Sequence, residues 1–447
     1  MCELEGLGYR GKALELLRGA DCSVGDILEI SSRGRVYEGI LMPRFGAGAA
    51  IIVKLKSGYN IGIEVTDMVE IKRLGRGAKP AFVAPLLPKQ NPALPHVVIM
   101  STGGTIASRV DYRTGAVRSA MSANDLLGVV PELADIARVE TEFVFSIYSE
   151  DFCQRDWSEL ALRVAKRVEE GVDGVVIAHG TDTMAYTSAA LSFALQGLPV
   201  PVILVGAQRS SDRPSSDAAT NLIGAVRAAG EAPFAGVGLA MHESISDAAI
   251  VVHRGTKVRK CHTSRRDTFQ SVNGLPFAVV EDRVVMLSEH YQRRDPSRRL
   301  VLRQKFSDAV VLVKFYPGFD PSVIDFYVAQ GMRGIVLEGS GLGHVSRVCF
   351  ESIGRAIDRG VVVGLASQCV GGRVNMNVYD TGRDLLGLGV VAFEDMLAET
   401  GLVKLMWALG QTDDTRQVVE LLRADVAGEY SCCTLLREGS LHYRGGL

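Results

Sequence analysis

Apolar and polar positions alternate with two different rhythms along this chain, and the rhythm changes near residue 95. Up to about residue 85 the apolar runs are short. VGDILEI (24–30), RVYEGILM (35–42), AAIIVKLK (49–56) and NIGIEV (60–65) are β-rich and separated by Gly, Ser and Pro. Strands this short and this closely spaced predict a small β-barrel. The proline-rich stretch PAFVAPLLPKQNPALP (80–95) reads as a linker.

Beyond it the runs become continuous. VVIM (97–100), GVVIA (174–178), VPVILVG (200–206) and VGLAM (237–241) have the pattern of strands buried on both faces. Between them, residues 157–169, 184–195 and 218–229 carry apolar positions at helical spacing. After a basic, polar stretch (293–305) the same alternation returns. AVVLVKFY (309–316), GIVLEGSG (334–341) and VVVGLAS (361–367) alternate with helices over 321–330 and 346–358, and a last large helix falls near 399–409. Alternating strand and helix predicts parallel α/β sheets, which bind ligands beyond the carboxyl ends of their strands. The expected organisation is a small β-barrel domain (1–85), a linker (86–95), an α/β domain that carries the chemistry (96–292), a second linker (293–305) and a second α/β domain (306–447).

With 447 residues and 47% hydrophobic content the chain can bury more than one core. A formal net charge of −2 gives no global attraction to nucleic acid, so any RNA contact must come from a local basic patch. One candidate is KRLGRGAK (72–79), a basic edge on the barrel. It either touches RNA or is solvated surface on a module that packs against the body or a partner. The first residues lack a signal-peptide core and no apolar stretch is long enough to span a bilayer, so a cytoplasmic protein is expected. The eight cysteines form no C-x-x-C pair and the histidines show no metal-ligand spacing, which favours metal-free chemistry. Trp157 and Trp407 sit in helical patterns and read as packing residues.

The candidate chemistry lies in two loops that each follow a buried strand. STGGTIAS (101–108) is neither a dinucleotide fingerprint nor a P-loop, and GSGLGH (339–344) alone is weak. Hydroxyls beside glycines at a strand end can instead supply a nucleophile and an oxyanion hole, because glycine lets the backbone approach a ligand with its N–H groups free. A threonine hydroxyl needs a base. HGTDT (179–183) places Thr181 and Asp182 at another strand's end, and Asp182 offers a carboxylate to a cation. HRGTKVRKCHTS (253–264) offers Lys257 and Lys260 as the base, and spacing does not choose between them.

TGGTIA (102–107) and HGTDTM (179–184), in this order, resemble the two signatures of the bacterial-type L-asparaginase family. GAQRSSDRPSSDAATNL (206–222) is also similar to that family. The resemblance implies a threonine nucleophile at Thr105, a loop tyrosine at Tyr112 and a second triad of Thr181, Asp182 and Lys260. Lys260 is chosen because TSRRDTF follows it as a similar run does in the family. Ser149 is matched to the residue that holds the substrate α-carboxylate. Glu150 stands where many asparaginases carry glutamine, and Gly104 contributes a backbone N–H. The extra N-terminal unit, SQCVGGRVNMNVYDTGR (367–383) and ETGLVKLMWALG (399–410) resemble the D subunits of archaeal tRNA-dependent amidotransferases. That resemblance implies a glutaminase that feeds ammonia to an E-type partner subunit, which amidates Glu-tRNA(Gln). It implies no cofactor in this subunit, with ATP and Mg at the partner, and a homodimer within an α2β2 heterotetramer. It leaves open whether Thr105 or Thr181 attacks first. The rival readings are a stand-alone L-asparaginase/glutaminase, a tRNA-positioning scaffold with a vestigial site, and a phosphate-binding α/β protein.

Overall fold

The computed structural model describes residues 3–6, 8–44, 50–55, 60–76, 90–103, 108–110, 117–119, 130–209 and 215–433. The N-terminal unit contains β1 (Asp26–Ser32), β2 (Arg35–Leu41), β3 (Ala50–Leu55), β4 (Asn60–Glu64) and β5 (Glu70–Arg76), all paired antiparallel in the order β4-β3-β2-β1-β5. Among the described residues β4 and β5 do not pair, so the expected barrel is seen as a five-stranded sheet with two edges. The β-rich reading passed over a helix, α1 (Gly11–Gly19). Its Ala13, Leu14 and Leu17 are buried with Leu28, Ile30, Ile51 and Val53 of the sheet. Of the basic edge, Arg73 is an internal tie: its guanidinium lies 2.8 Å from the buried carboxylate of Asp26.

The central sheet has eight strands. The runs foreseen as buried strands are β6 (His96–Ser101), β8 (Gly174–Ala178), β9 (Pro201–Val205) and β10 (Gly236–His242), paired parallel in the order β6-β8-β9-β10. At one edge, β7 (Arg138–Phe143) pairs parallel with β6. Its polar sequence, RVETEF, hid it from an apolar-run criterion. Glu140 and Glu142 project to Arg163 and Arg167 of α2 (Gln154–Glu169), with Arg167 at 2.6 Å from Glu140 and 2.7 Å from Glu142. At the other edge β11 (Ile250–Arg254), β14 (Ala278–Val280) and β15 (Val284–Met286) continue the sheet antiparallel. The hairpin β12 (Val258–Lys260) and β13 (Phe269–Ser271) stands apart from this sheet.

Helices α2 and α3 (Met184–Ala194) share one core cluster with the sheet, and α4 (Ala218–Glu231) packs in the other. The C-terminal unit is a four-stranded parallel sheet: β16 (Val310–Lys314), β17 (Gly334–Gly339), β18 (Val362–Ser367) and β19 (Val391–Ala392). Its helices are α5 (Ser322–Ala329), α6 (Phe350–Asp358), α7 (Asp380–Leu388) and α8 (Ala398–Gln411). Two helices of this unit were not foreseen, α7 and a further one, α9 (Thr415–Arg423). Trp157 and Trp407 are buried as expected. Each also uses its indole N–H, Trp157 on Thr187 and Trp407 on the carbonyl of Arg303. No described helix is long and apolar enough to cross a membrane.

Helix α8 anchors the C-terminal tail through a charge in the core. Lys404 is fully buried and donates to the carbonyl of Leu422 at 2.9 Å and to that of Ala424, and it is paired with the equally buried Glu429. Burial pushes the Lys404 ammonium below its usual range, against the pull of Glu429. Removing one member of such a pair leaves the other charged and unsolvated. Lys404→Met is therefore expected to cost about 3–5 kcal/mol. The double variant Lys404→Met/Glu429→Gln should cost less than the two single changes together, as measured by urea denaturation.

Candidate active site

Parallel pairing aligns Ser101 of β6 with Ala178 of β8, and Ala178 with Val205 of β9. The segments beginning at Thr102, His179 and Gly206 therefore leave the sheet side by side. Thr102 ties the first two together. Its amide N–H and its hydroxyl both donate to the carbonyl of Ala178, at 3.0 and 2.9 Å. Glycines make the crowding possible. A Cβ on Gly180 would lie 2.7 Å from the Cβ of Ser149, and one on Gly206 would lie 2.7 Å from the methyl of Thr181. Gly103 has φ +114°, and a Cβ there would lie 2.3 Å from the carbonyl oxygen of Ile147.

On this platform the structure brings Thr181, Asp182 and Lys260 together. Lys260 reaches over from β12, and its Nζ donates to Thr181 Oγ1 at 2.8 Å and to Asp182 Oδ1 at 2.7 Å. Asp182 is largely exposed and Lys260 is mostly covered. Lys257 is turned elsewhere, in a buried pair with Asp395 at 2.8 Å. Ser149 is buried beside Gly180, its hydroxyl donating to the exposed carboxylate of Glu150 at 3.4 Å. Thr183 donates its hydroxyl to the carbonyl of Ser149 and so pins that segment to the HGTDT loop. Gly104, Thr105 and Tyr112 lie outside the described residues. Ser149, Glu150 and Asp182 thus offer a hydroxyl and two carboxylates beside a lysine–threonine pair.

Sequence reasoning missed the polar groups that hold this loop from beneath. His179 is fully buried. Its Nδ1 lies 2.7 Å from the carbonyl of Gly180 and its Nε2 lies 3.0 Å from Thr187 Oγ1, which also receives the indole N–H of Trp157 at 3.0 Å. The Gly180 carbonyl can only accept, so Nδ1 carries the proton and Nε2 accepts from Thr187. Burial pushes the imidazole down to about 4, and the ring stays neutral. The GAQR segment has its own support. Buried Asp217 accepts the N–H groups of Gln208 and Arg209, and Asn221 donates to the carbonyl of Gly206 at 3.0 Å. Trp157, His179 and Thr187 are each visible in the sequence, but only the packing of α2 and α3 joins them into one network. Among the described residues no cluster of three or more His, Cys, Asp or Glu is placed to hold a metal ion.

Known proteins match this chain in three parts. Residues 22–74 match the GatD N-terminal domain, residues 96–292 the asparaginase N-terminal domain, and residues 309–422 the glutaminase/asparaginase C-terminal domain. The D subunit of the glutamyl-tRNA(Gln) amidotransferase of Methanopyrus kandleri is 50% identical over 434 residues, covering 94% of each chain. That of Metallosphaera sedula is 48% identical, covering 95% of this chain and 96% of its own. The chain belongs to the family of glutamyl-tRNA(Gln) amidotransferase D subunits. Asparaginase structures share the body of this family's fold. The thermostable L-asparaginase of Thermococcus kodakarensis aligns with TM-score 0.67 and 33% identity over 75% of this chain and 99% of its own. The L-asparaginase I of Vibrio cholerae aligns with TM-score 0.68 and 28% identity over 76% of this chain and all of its own. An asparaginase is therefore matched end to end while about a quarter of this chain is left over, and the N-terminal unit has its own match in the GatD domain.

Two buried histidines give a pH test of the packing. His253 is also fully buried and pushed down to about 3 by burial. Unfolded, both titrate near 6.5. Below that pH the unfolded chain binds two protons that the folded chain refuses, so stability falls as pH drops from about 6.5 toward 4. Each histidine contributes a slope of about 1.4 kcal/mol per pH unit in that window. His179→Gln is expected to remove one of the two contributions, read as a shallower loss of urea-denaturation stability between pH 6.5 and 5.

Proposed function

We propose that the chain is the glutaminase subunit of a tRNA-dependent amidotransferase. The observation that carries this reading is the Lys260–Thr181–Asp182 cluster at the carboxyl end of β8, in a chain that matches amidotransferase D subunits along nearly its whole length. Glutamine binds with its α-carboxylate at Ser149 and its α-ammonium between Asp182 and Glu150. The Thr105 hydroxyl attacks the side-chain carbonyl with the help of Tyr112, and the backbone N–H groups of Gly104 and Thr181 are the donors assigned to stabilise the oxyanion. The C–N bond breaks, ammonia leaves, and an ester to Thr105 remains. Lys260, once deprotonated, accepts a proton from Thr181, which in turn activates the water that releases glutamate. Asp182 orients the lysine.

One geometric fact favours a second assignment of the first step. Thr181 already touches its base at 2.8 Å, so Thr181 is the rival nucleophile. Trapping the acyl-enzyme and locating the modified threonine separates the two.

The ammonia passes to an E-type partner subunit that activates the glutamate of Glu-tRNA(Gln). The ATP and Mg2+ of that ligation belong to the partner, and this subunit uses no cofactor. Two copies of the chain pair within an α2β2 assembly in the cytoplasm. A stand-alone asparaginase/glutaminase accounts for the body of the fold but gives the N-terminal unit no task.

Ammonia release from glutamine and from asparagine tests the reading. The chain is expected to hydrolyse glutamine in dependence on the partner subunit and Glu-tRNA(Gln). Thr105→Ala should abolish release, and Lys260→Met should lower kcat by about 10²–10⁴-fold. Fast asparagine hydrolysis by the chain alone would decide for the stand-alone enzyme.

A further inference from the structure

The stretch between the two α/β units was expected to be a polar linker, yet it is a fixed strap. Val301–Leu302 pairs antiparallel with Leu195–Gln196 at the end of α3. The backbone around that pair is held from both units. Arg303 donates its N–H to Ala194 at 2.7 Å, and Ser158 of α2 donates to the carbonyl of Gln304 at 2.7 Å. From α8, Trp407 donates to the carbonyl of Arg303 at 3.1 Å and Gln411 to that of Lys305 at 2.8 Å.

An extended chain sends alternate side chains to opposite faces. Leu300, Leu302 and Phe306 turn inward and pack on the core cluster of the central sheet. Arg299, Val301, Arg303 and Lys305 are all exposed on the outer face. Among the described residues the three cations have no ion pair or side-chain hydrogen bond. Residues 296–307 contain no carboxylate at all. Six cations and one carboxylate fall within 293–305, whereas the whole chain carries a net −2. The strap is thus a local positive line on a slightly acidic molecule, with its charges spaced by about 7 and 13 Å along a backbone that is already immobilised. A line of unneutralised cations on a fixed backbone is complementary to a polyphosphate backbone, and little backbone register remains to be ordered on contact.

We infer that Arg299, Arg303 and Lys305 form a surface that binds the phosphate backbone of the tRNA substrate. The identity of that RNA rests on the amidotransferase reading. The strap lies at the far end of α3 from Thr181. With 11 residues in that helix, the two ends are about 16 Å apart, so RNA held there leaves the glutaminase opening free.

The test compares two full-length triple variants, each alone and with the partner subunit. Arg299→Gln/Arg303→Gln/Lys305→Gln removes the line. Arg283→Gln/Arg359→Gln/Arg416→Gln removes the same charge from exposed positions elsewhere. Binding of Glu-tRNA(Gln) is followed by fluorescence anisotropy from about 0.05 to 0.3 M salt, with glutamine hydrolysis measured in parallel. The strap variant is expected to bind on the order of 100-fold more weakly near 0.1 M salt, with the slope of log Kd on log salt flatter by about two to three. The control variant should stay close to the parent; hydrolysis without tRNA should be unchanged in both, and the tRNA-dependent part should fall only in the strap variant. Equal losses in the two variants, or none in the strap variant, overturns the inference. Intact tRNA binding with lost assembly also overturns it, and assigns the strap to an acidic face of the partner. A parent chain that binds tRNA through the strap but never hydrolyses glutamine leaves the surface standing and sinks the glutaminase reading instead.

Discussion

The carbonyl oxygen of Ala178 is the point on which the site hangs. It receives both the amide and the hydroxyl of Thr102, so the ends of two neighbouring parallel strands are locked in one register. Everything above that lock is a matter of close approach. Gly103 passes against Ile147, Gly180 against Ser149 and Gly206 against Thr181, at separations that leave no room for a Cβ. The neutral His179 ring then fixes the carbonyl of Gly180 from below through Thr187 and Trp157. A hydroxyl and a carboxylate are thereby held at one strand end with little freedom, which is what proton transfer at a fixed distance requires.

The lysine of the cluster comes from a different kind of support. Lys260 sits on a hairpin outside the central sheet, and the C-terminal unit grips the strand that carries it. Lys257 pairs with Asp395, Arg259 with Glu399 at 3.2 Å, and Thr400 donates to the carbonyl of Thr256 at 3.0 Å. Two α/β units thus share the placement of one ammonium group. The buried Lys257–Asp395 pair gives this joint directionality, since a charge without its partner in that position is strongly unfavourable. The fold therefore couples the C-terminal unit mechanically to the base, although the loops that border the opening belong to the other unit.

The same sharing appears at the opposite pole. The strap at 298–306 joins the units covalently, is stitched to both by hydrogen bonds to its backbone, and turns its cations outward. Site and strap occupy opposite ends of α3, so the helix separates the Thr181–Asp182–Lys260 cluster from the exposed cations Arg299, Arg303 and Lys305.

By itself the sequence determined the parallel body, because VVIM, GVVIA, VPVILVG and VGLAM have no polar face to show to water. It also pointed to the two hydroxyl-bearing loops, because glycine beside threonine, which alone reads as a plain turn, recurs after two strands of one parallel sheet. It did not reveal β7, whose Glu140 and Glu142 are satisfied by arginines from a helix beyond the strand. Nor did spacing separate Lys257 from Lys260, which are three residues apart with identical chemistry; only the family resemblance favoured Lys260. That choice belongs to tertiary structure: Asp395, distant in sequence, captures Lys257 in a dry interface, and Lys260 is left to reach Thr181. The strap was legible only as a basic linker. Its sidedness depends on a strand pairing between Leu195–Gln196 and Val301–Leu302, far apart in the chain, and long-range pairing is what local pattern does not carry.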